Sequence, residues 1–138
     1  MISKFKEQKN KFGVCIKCNN LRTDFNWCSS CDCAQLIKNF NNWTSGNDKL
    51  DKFIQYTQST AKSYLTYLEW IPYERFKNIR LIATGNLSHV YSAVWKDGEK
   101  IDNYWDDEEN SCIHERSQPI PVALKRHYDI RATIQTVS

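Results

Sequence analysis

Four cysteines stand in two Cys-x-x-Cys pairs, Cys15-Ile16-Lys17-Cys18 and Cys28-Ser29-Ser30-Cys31, with nine residues between the pairs. Each pair presents two thiolates from one tight turn, and two such turns supply four sulfurs to a tetrahedral ion. Thiolates are soft ligands, and in a reducing compartment a four-sulfur site selects Zn²⁺ or an iron–sulfur cluster over magnesium or calcium. Four ligands close the coordination sphere, so such a site is structural. It would also explain how a polar segment with little core folds at all. Cys15, Cys18, Cys28 and Cys31 are therefore the candidate metal ligands. Unliganded thiols, a redox pair and disulfides are the competing readings. Cys33 is a possible substitute ligand and more simply a spare thiol. Cys112 lies in an acidic stretch, and its Cys-x-His pairing with His114 lacks the second pair that a metal site needs.

A second constellation lies downstream. Ile82-Ala83-Thr84-Gly85-Asn86-Leu87-Ser88-His89-Val90-Tyr91 is followed, forty positions after Gly85, by Lys125 at the end of Val122-Ala123-Leu124-Lys125. In this order the residues resemble a protein kinase. That family has a glycine-rich loop between its first two strands, which covers the ATP phosphates, and a Val-Ala-Ile-Lys-type third strand whose lysine reaches them. Small residues matter in the loop because backbone amides must approach the phosphates closely. The lysine supplies a fixed positive charge.

The resemblance puts Ala83, Gly85 and Ser88 where the family has its three glycines, so only the middle one is retained. Ile82 and Val90 stand at the apolar positions that flank the adenine. Ala123 stands at the small residue on its other side, and Lys125 at the phosphate-binding lysine. ATP, held weakly, is the nucleotide so implied. Asn39–Asn47 and Leu68–Phe76, with the paired cysteines before them, are also similar to the leader of a kinase family expanded in root-symbiotic fungi. Tyr104-Trp105-Asp106 matches an insertion that those kinases carry before the third strand.

The same resemblance implies what this polypeptide lacks. Thirteen residues follow Lys125, and no glutamate occurs after Glu115 to hold that lysine. The chain contains neither a His-Arg-Asp catalytic loop nor an Asp-Phe-Gly metal motif, on which positioning and charge stabilisation of the transferred phosphoryl group depend. The expectation is a truncated kinase-like protein with no catalytic residues, in which nucleotide binding survives at most. The alternative is a non-catalytic, zinc-stabilised interaction module in which the two helices and the knuckles dock a partner. Separately, the incomplete lobe leaves apolar surface for a protein partner to cover.

The elements that must position these residues read as α+β. Residues 1–33 form the cysteine module. Residues 34–71 read as a helical leader, with Leu36, Ile37, Phe40 and Trp43 and then Leu50 through Leu68 at helical spacing. Ser45 followed by Asp48 fits a cap for the second helix, and Pro72 should stop it near Trp70. The aromatic stripe in this leader reads as core. From Phe76 onward the runs at 79–83, 90–95 and 121–125 are short and β-branched, and predict an antiparallel sheet. The acidic stretch between them reads as a solvated insertion.

The charge balance excludes little. A net charge of +3 conceals six Lys/Arg against one Glu in residues 1–22, and seven Asp/Glu against one Lys in residues 99–115. A short basic arm is more often solvated than bound to nucleic acid, so a nucleic-acid partner is the last choice. At 41% hydrophobic and 13% aromatic residues, the chain has the means to fold. Its polar, basic start is unlike a signal peptide, and no apolar run is long enough for a bilayer. A cytoplasmic address follows, with the nucleus left open.

Overall fold

Glycine and asparagine shape the N-terminal region. Gly13 (φ 73°), Asn19 (φ 58°) and Asn26 (φ 50°) adopt the left-handed conformation that other side chains resist, and each sits at a tight reversal. In the computed structural model, which describes residues 11–106, 108, 111–127 and 135–137, these reversals build two small knuckles. The first is a hairpin: Val14 bridges Leu21, the Cys15 amide donates to the Asn20 carbonyl at 2.9 Å, and the Arg22 amide donates to the Gly13 carbonyl at 3.0 Å. The second folds Asp24 back onto Trp27 and delivers Cys28 to the start of helix α1 (Ser29–Lys38). The basic start before Lys11, the acidic positions Asp107 and Glu109, and the tail at 128–134 lie outside the described residues, as do the side chains of Trp105, Asp106, Cys112 and His114.

Two compact units divide the chain. One comprises the described part of Met1–Trp43 with Phe53–Glu69 and Asn103–Ile113. The other comprises Thr44–Lys52, Trp70–Asp102 and the described part of His114–Ser138. In the first unit Trp27 is almost fully enclosed, at 1% exposure, against Cys33 and Ala61, with Leu36, Tyr64 and Tyr67 around them. The cysteine segment thus brings a tryptophan to a core, although its composition suggests little to bury. Helix α1 also runs across residues 33–34, where composition suggests a change of module.

The second helix, α2 (Asp48–Ser59), is about ten residues shorter than its apolar spacing predicts. Hydroxyls account for the early stop. Ser59 and Thr60 turn their side chains onto the Tyr56 carbonyl, at 3.1 and 2.7 Å, and Thr66 accepts from the amides of Lys62 and Ser63 at 3.1 Å each. These local bonds offer the backbone an alternative to the helical ladder. Its cap also differs from expectation: Asn47 Oδ1, not Ser45, accepts from the amides of Lys49 and Leu50 at 3.0 Å. Ser45 instead donates from its amide and its hydroxyl to Asp51. The aromatic stripe is only partly core, because Ile54 is buried while Phe53 and Tyr56 are exposed.

The second unit is built on a four-stranded antiparallel sheet in the order β1-β2-β5-β6, with β1 (Phe76–Thr84), β2 (Ser88–Trp95), β5 (Ile120–His127) and β6 (Gln135–Val137). Phe76, Ala93, Trp95, Val122 and Leu124 fill one face of it. The acidic insertion is more ordered than a solvated loop: β3 (Lys100–Asp106) and β4 (Ser111–Arg116) form a separate two-stranded sheet. The α+β class holds, with two helices and antiparallel sheets among the described residues. No helix among them is long and apolar enough to cross a membrane.

Candidate metal centre and the loop–lysine face

The two knuckles bring Cys15, Cys18, Cys28 and Cys31 together, with all four sulfurs within 4.8 Å of one another. The shortest separations run between the pairs: 3.5 Å for Cys18–Cys28 and 3.9 Å for Cys15–Cys31. A single tetrahedral ion with metal–sulfur bonds of about 2.3 Å places its ligands about 3.8 Å apart, so the observed spacing fits one metal ion. A cluster, which spreads the thiolates over several irons, would demand a wider set. Zn²⁺ held by these four residues would supply a cross-link between the hairpin and the start of α1.

The environment of the sulfurs is consistent with cation binding. Cys15 and Cys28 are buried, at 5% and 4% exposure. The Asn20 backbone beside Cys18 pulls its thiol down to about 7. Burial pushes Cys28 up, and pushes Cys31 up to about 12 with the sulfurs of Cys18 and Cys15 adding to the shift. Four thiols this close cannot all ionise unaided; a dication reverses that balance and holds them as thiolates. Cys28 and Cys31 also lie at the N-terminal end of α1, where the helix dipole favours negative charge.

Asp32, which the sequence pattern did not single out, accepts from the Cys28 amide at 2.7 Å and so fixes the start of that helix. Burial raises its carboxyl above the ordinary range, while the Cys28 amide, Lys17 and Arg22 oppose the rise. Lys17, Arg22 and Asp32 line the same cleft as Cys15, Cys28 and Cys31. Cys33 is not part of the four-sulfur group. It is buried and directs its thiol to the Ala61 carbonyl at 3.4 Å.

The loop–lysine residues lie on the sheet of the second unit. Ala83 pairs with Val90, and Val90 pairs with Lys125, so these three form a row across β1, β2 and β5. Ala123 pairs with Ser92, two positions along from that row, and so shares its face. Gly85 and Ser88 close the β1–β2 turn, with the Gly85 amide donating to the Ser88 carbonyl at 2.8 Å. Ile82 falls at a shift of register between Leu81 and Ala83 and is 61% exposed, so pairing does not assign it to that face. No family model, curated protein or solved structure matches the chain.

Proposed function

We propose that this chain is a kinase-like nucleotide-binding sheet carried with a metal-stapled leader, and that it does not transfer phosphoryl groups by itself. The observation that carries the reading is the row Ala83–Val90–Lys125, with Ala123 on the same face. The resemblance to kinases requires small and apolar residues beside a lysine on one surface of the first three strands, next to the turn that meets the phosphates. The strand order β1-β2-β5, with a hairpin inserted before the lysine strand, suits that reading. Lys125 would neutralise phosphate charge, Val90 and Ala123 would contact the base, and the Gly85 turn would approach the phosphates through its backbone. A Cβ at Gly85 would meet only ordinary contacts, 3.5 Å from the Ser88 carbonyl, so the glycine is not demanded by packing within the turn. Nothing in the 138 residues supplies a catalytic loop, so binding and not turnover is the activity proposed.

Calorimetric titration with ATP tests it. Saturable heat that Lys125→Ala abolishes is expected. Absence of saturable heat in the wild-type chain would remove the nucleotide half of the proposal.

A second reading, a zinc-stabilised interaction module without nucleotide, is favoured by one observation. The knuckles expose Ile16 and Phe25, at 63% and 68%, on the segment that the cysteines hold. Partner capture that requires residues 11–43 and is indifferent to Lys125→Ala would support it over the first.

A further inference from the structure

The cleft at the four-sulfur group has a charge pattern that the ligands alone do not explain. Four thiolates around a dication carry two negative charges, and Asp32 on the same cleft adds a third when ionised. An excess of this kind, partly withdrawn from water, weakens metal retention unless opposite charge lies close by. Two cations line that cleft. Lys17 stands between Cys15 and Cys18 in the first knuckle, on the backbone that delivers both sulfurs. Arg22 closes the base of the same hairpin by donating its backbone N–H to the Gly13 carbonyl. Both residues belong to the hairpin that delivers the first two sulfurs, so the fold places them on the rim of the same cleft.

We propose that Lys17 and Arg22 form a cationic rim that offsets the negative charge of the tetrathiolate centre and raises its affinity for a divalent metal. This rests on the reading that the four cysteines hold a metal. Lys17 and Arg22 act as charges near the site and not as ligands, since ammonium and guanidinium groups are hydrogen-bond donors without an acceptor lone pair. Their effect is electrostatic, and Lys17 is exposed, so it weakens as salt screens it.

The test is Co²⁺ titration of the full chain, followed by its tetrathiolate absorption, with chelator competition for affinity at low and high salt. Groups outside the first coordination shell typically change metal affinity about 10–100-fold. The double variant Lys17→Gln/Arg22→Gln is expected to lose about tenfold at low salt, near the lower end of that range. Lys17→Glu/Arg22→Glu should lose more, Lys38→Gln should match wild type, and the gap should narrow as salt rises. Wild-type affinity in both double variants at low salt would overturn the rim. So would a loss that high salt leaves unchanged, because that would be a packing effect. A wild-type chain without the tetrathiolate spectrum would overturn the metal reading, and the rim with it; the spectrum with unchanged variants overturns the rim alone.

Discussion

The indole N–H of Trp27 donates to the carbonyl of Ala61 at 3.2 Å, joining the second knuckle to the segment that follows α2. Ser29 and Cys33 direct their side chains to the same carbonyl, at 2.8 and 3.4 Å, and Thr23 donates to the next carbonyl, that of Lys62, at 2.7 Å. The indole also stacks on Tyr67, with ring centroids 5.8 Å apart. One unit therefore has two fastenings, the four-sulfur group and this convergence on residues 61–62.

Replacing Trp27 separates packing from hydrogen bonding. Trp27→Ala empties an enclosed site and should cost about 3–5 kcal/mol. Trp27→Phe keeps a ring but loses the N–H, while Ser29 and Cys33 still serve the Ala61 carbonyl, so about 1–2 kcal/mol is expected. Chemical denaturation of the metal-loaded protein, followed by circular dichroism, reads both. A cost near zero for Trp27→Phe would show that the hydrogen bond contributes nothing separable, and equal costs in the two variants would show the same of ring packing.

The cysteines divide into two classes that a metal-loss assay distinguishes. Single serine substitutions at Cys15, Cys18, Cys28 or Cys31 should each release the metal or weaken it by orders of magnitude, because an alcohol is a poor soft ligand. Cys33→Ser should retain a full equivalent and lose only stability, since its thiol faces the Ala61 carbonyl. Loss of metal in Cys33→Ser as complete as in Cys31→Ser would contradict this division.

Gly98 is the glycine whose replacement should be least tolerated. It has φ 69°, and a Cβ there would come within 2.3 Å of Ser117 Oγ and 2.6 Å of the Gln118 carbonyl. Arg116 also donates to the Gly98 carbonyl at 2.9 Å, in the turn between β2 and β3. Gly98→Ala should destabilise by about 2–3 kcal/mol, combining left-handed strain with the clash. A midpoint unchanged in urea unfolding would refute that geometry.

Asp97 gives the second unit an acid-sensitive contact. The Arg75 guanidinium, bonded to it through Nε at 2.9 Å and through a second nitrogen, holds its carboxyl below the usual range. A depressed folded value means that the stability is fully present above the unfolded value of about 3.9 and is lost as pH falls through the folded one. Both partners are partly exposed, so solvent and salt screen the contact and its contribution is small. Asp97→Asn should lower the thermal midpoint at pH 6, and its difference from wild type should vanish once the pH is low enough to protonate Asp97 in the folded state. A difference that persists there would show that the charge of Asp97 is not the source.

Sequence spacing revealed the four sulfurs because two Cys-x-x-Cys turns converge with few alternatives. The strands carrying Ala83, Val90 and Lys125 were legible from their β-branched runs. Other features depended on competition that spacing does not show. The helix ends at Ser59 because hydroxyls at Ser59 and Thr60 take the Tyr56 carbonyl, although the apolar spacing continues. The core packing of Trp27 is not legible from spacing, because its partners Ala61 and Tyr67 lie more than thirty residues away. The β3–β4 hairpin was masked by its acidic residues, even though Ile101, Tyr104 and Ile113 give it strand character. The face shared by Ala83, Val90, Ala123 and Lys125 emerges only from register, which a one-residue slip would invert.

Native mass spectrometry of the chain purified under reducing conditions tests the central claim, that one metal ion joins the two knuckles. The account predicts the mass of the chain plus one zinc, reverting to the bare chain when acid protonates the thiolates. A bare mass at neutral pH, in protein kept with equimolar zinc, would contradict it. A mass lowered by the hydrogens lost to disulfides between these cysteines would contradict it as well.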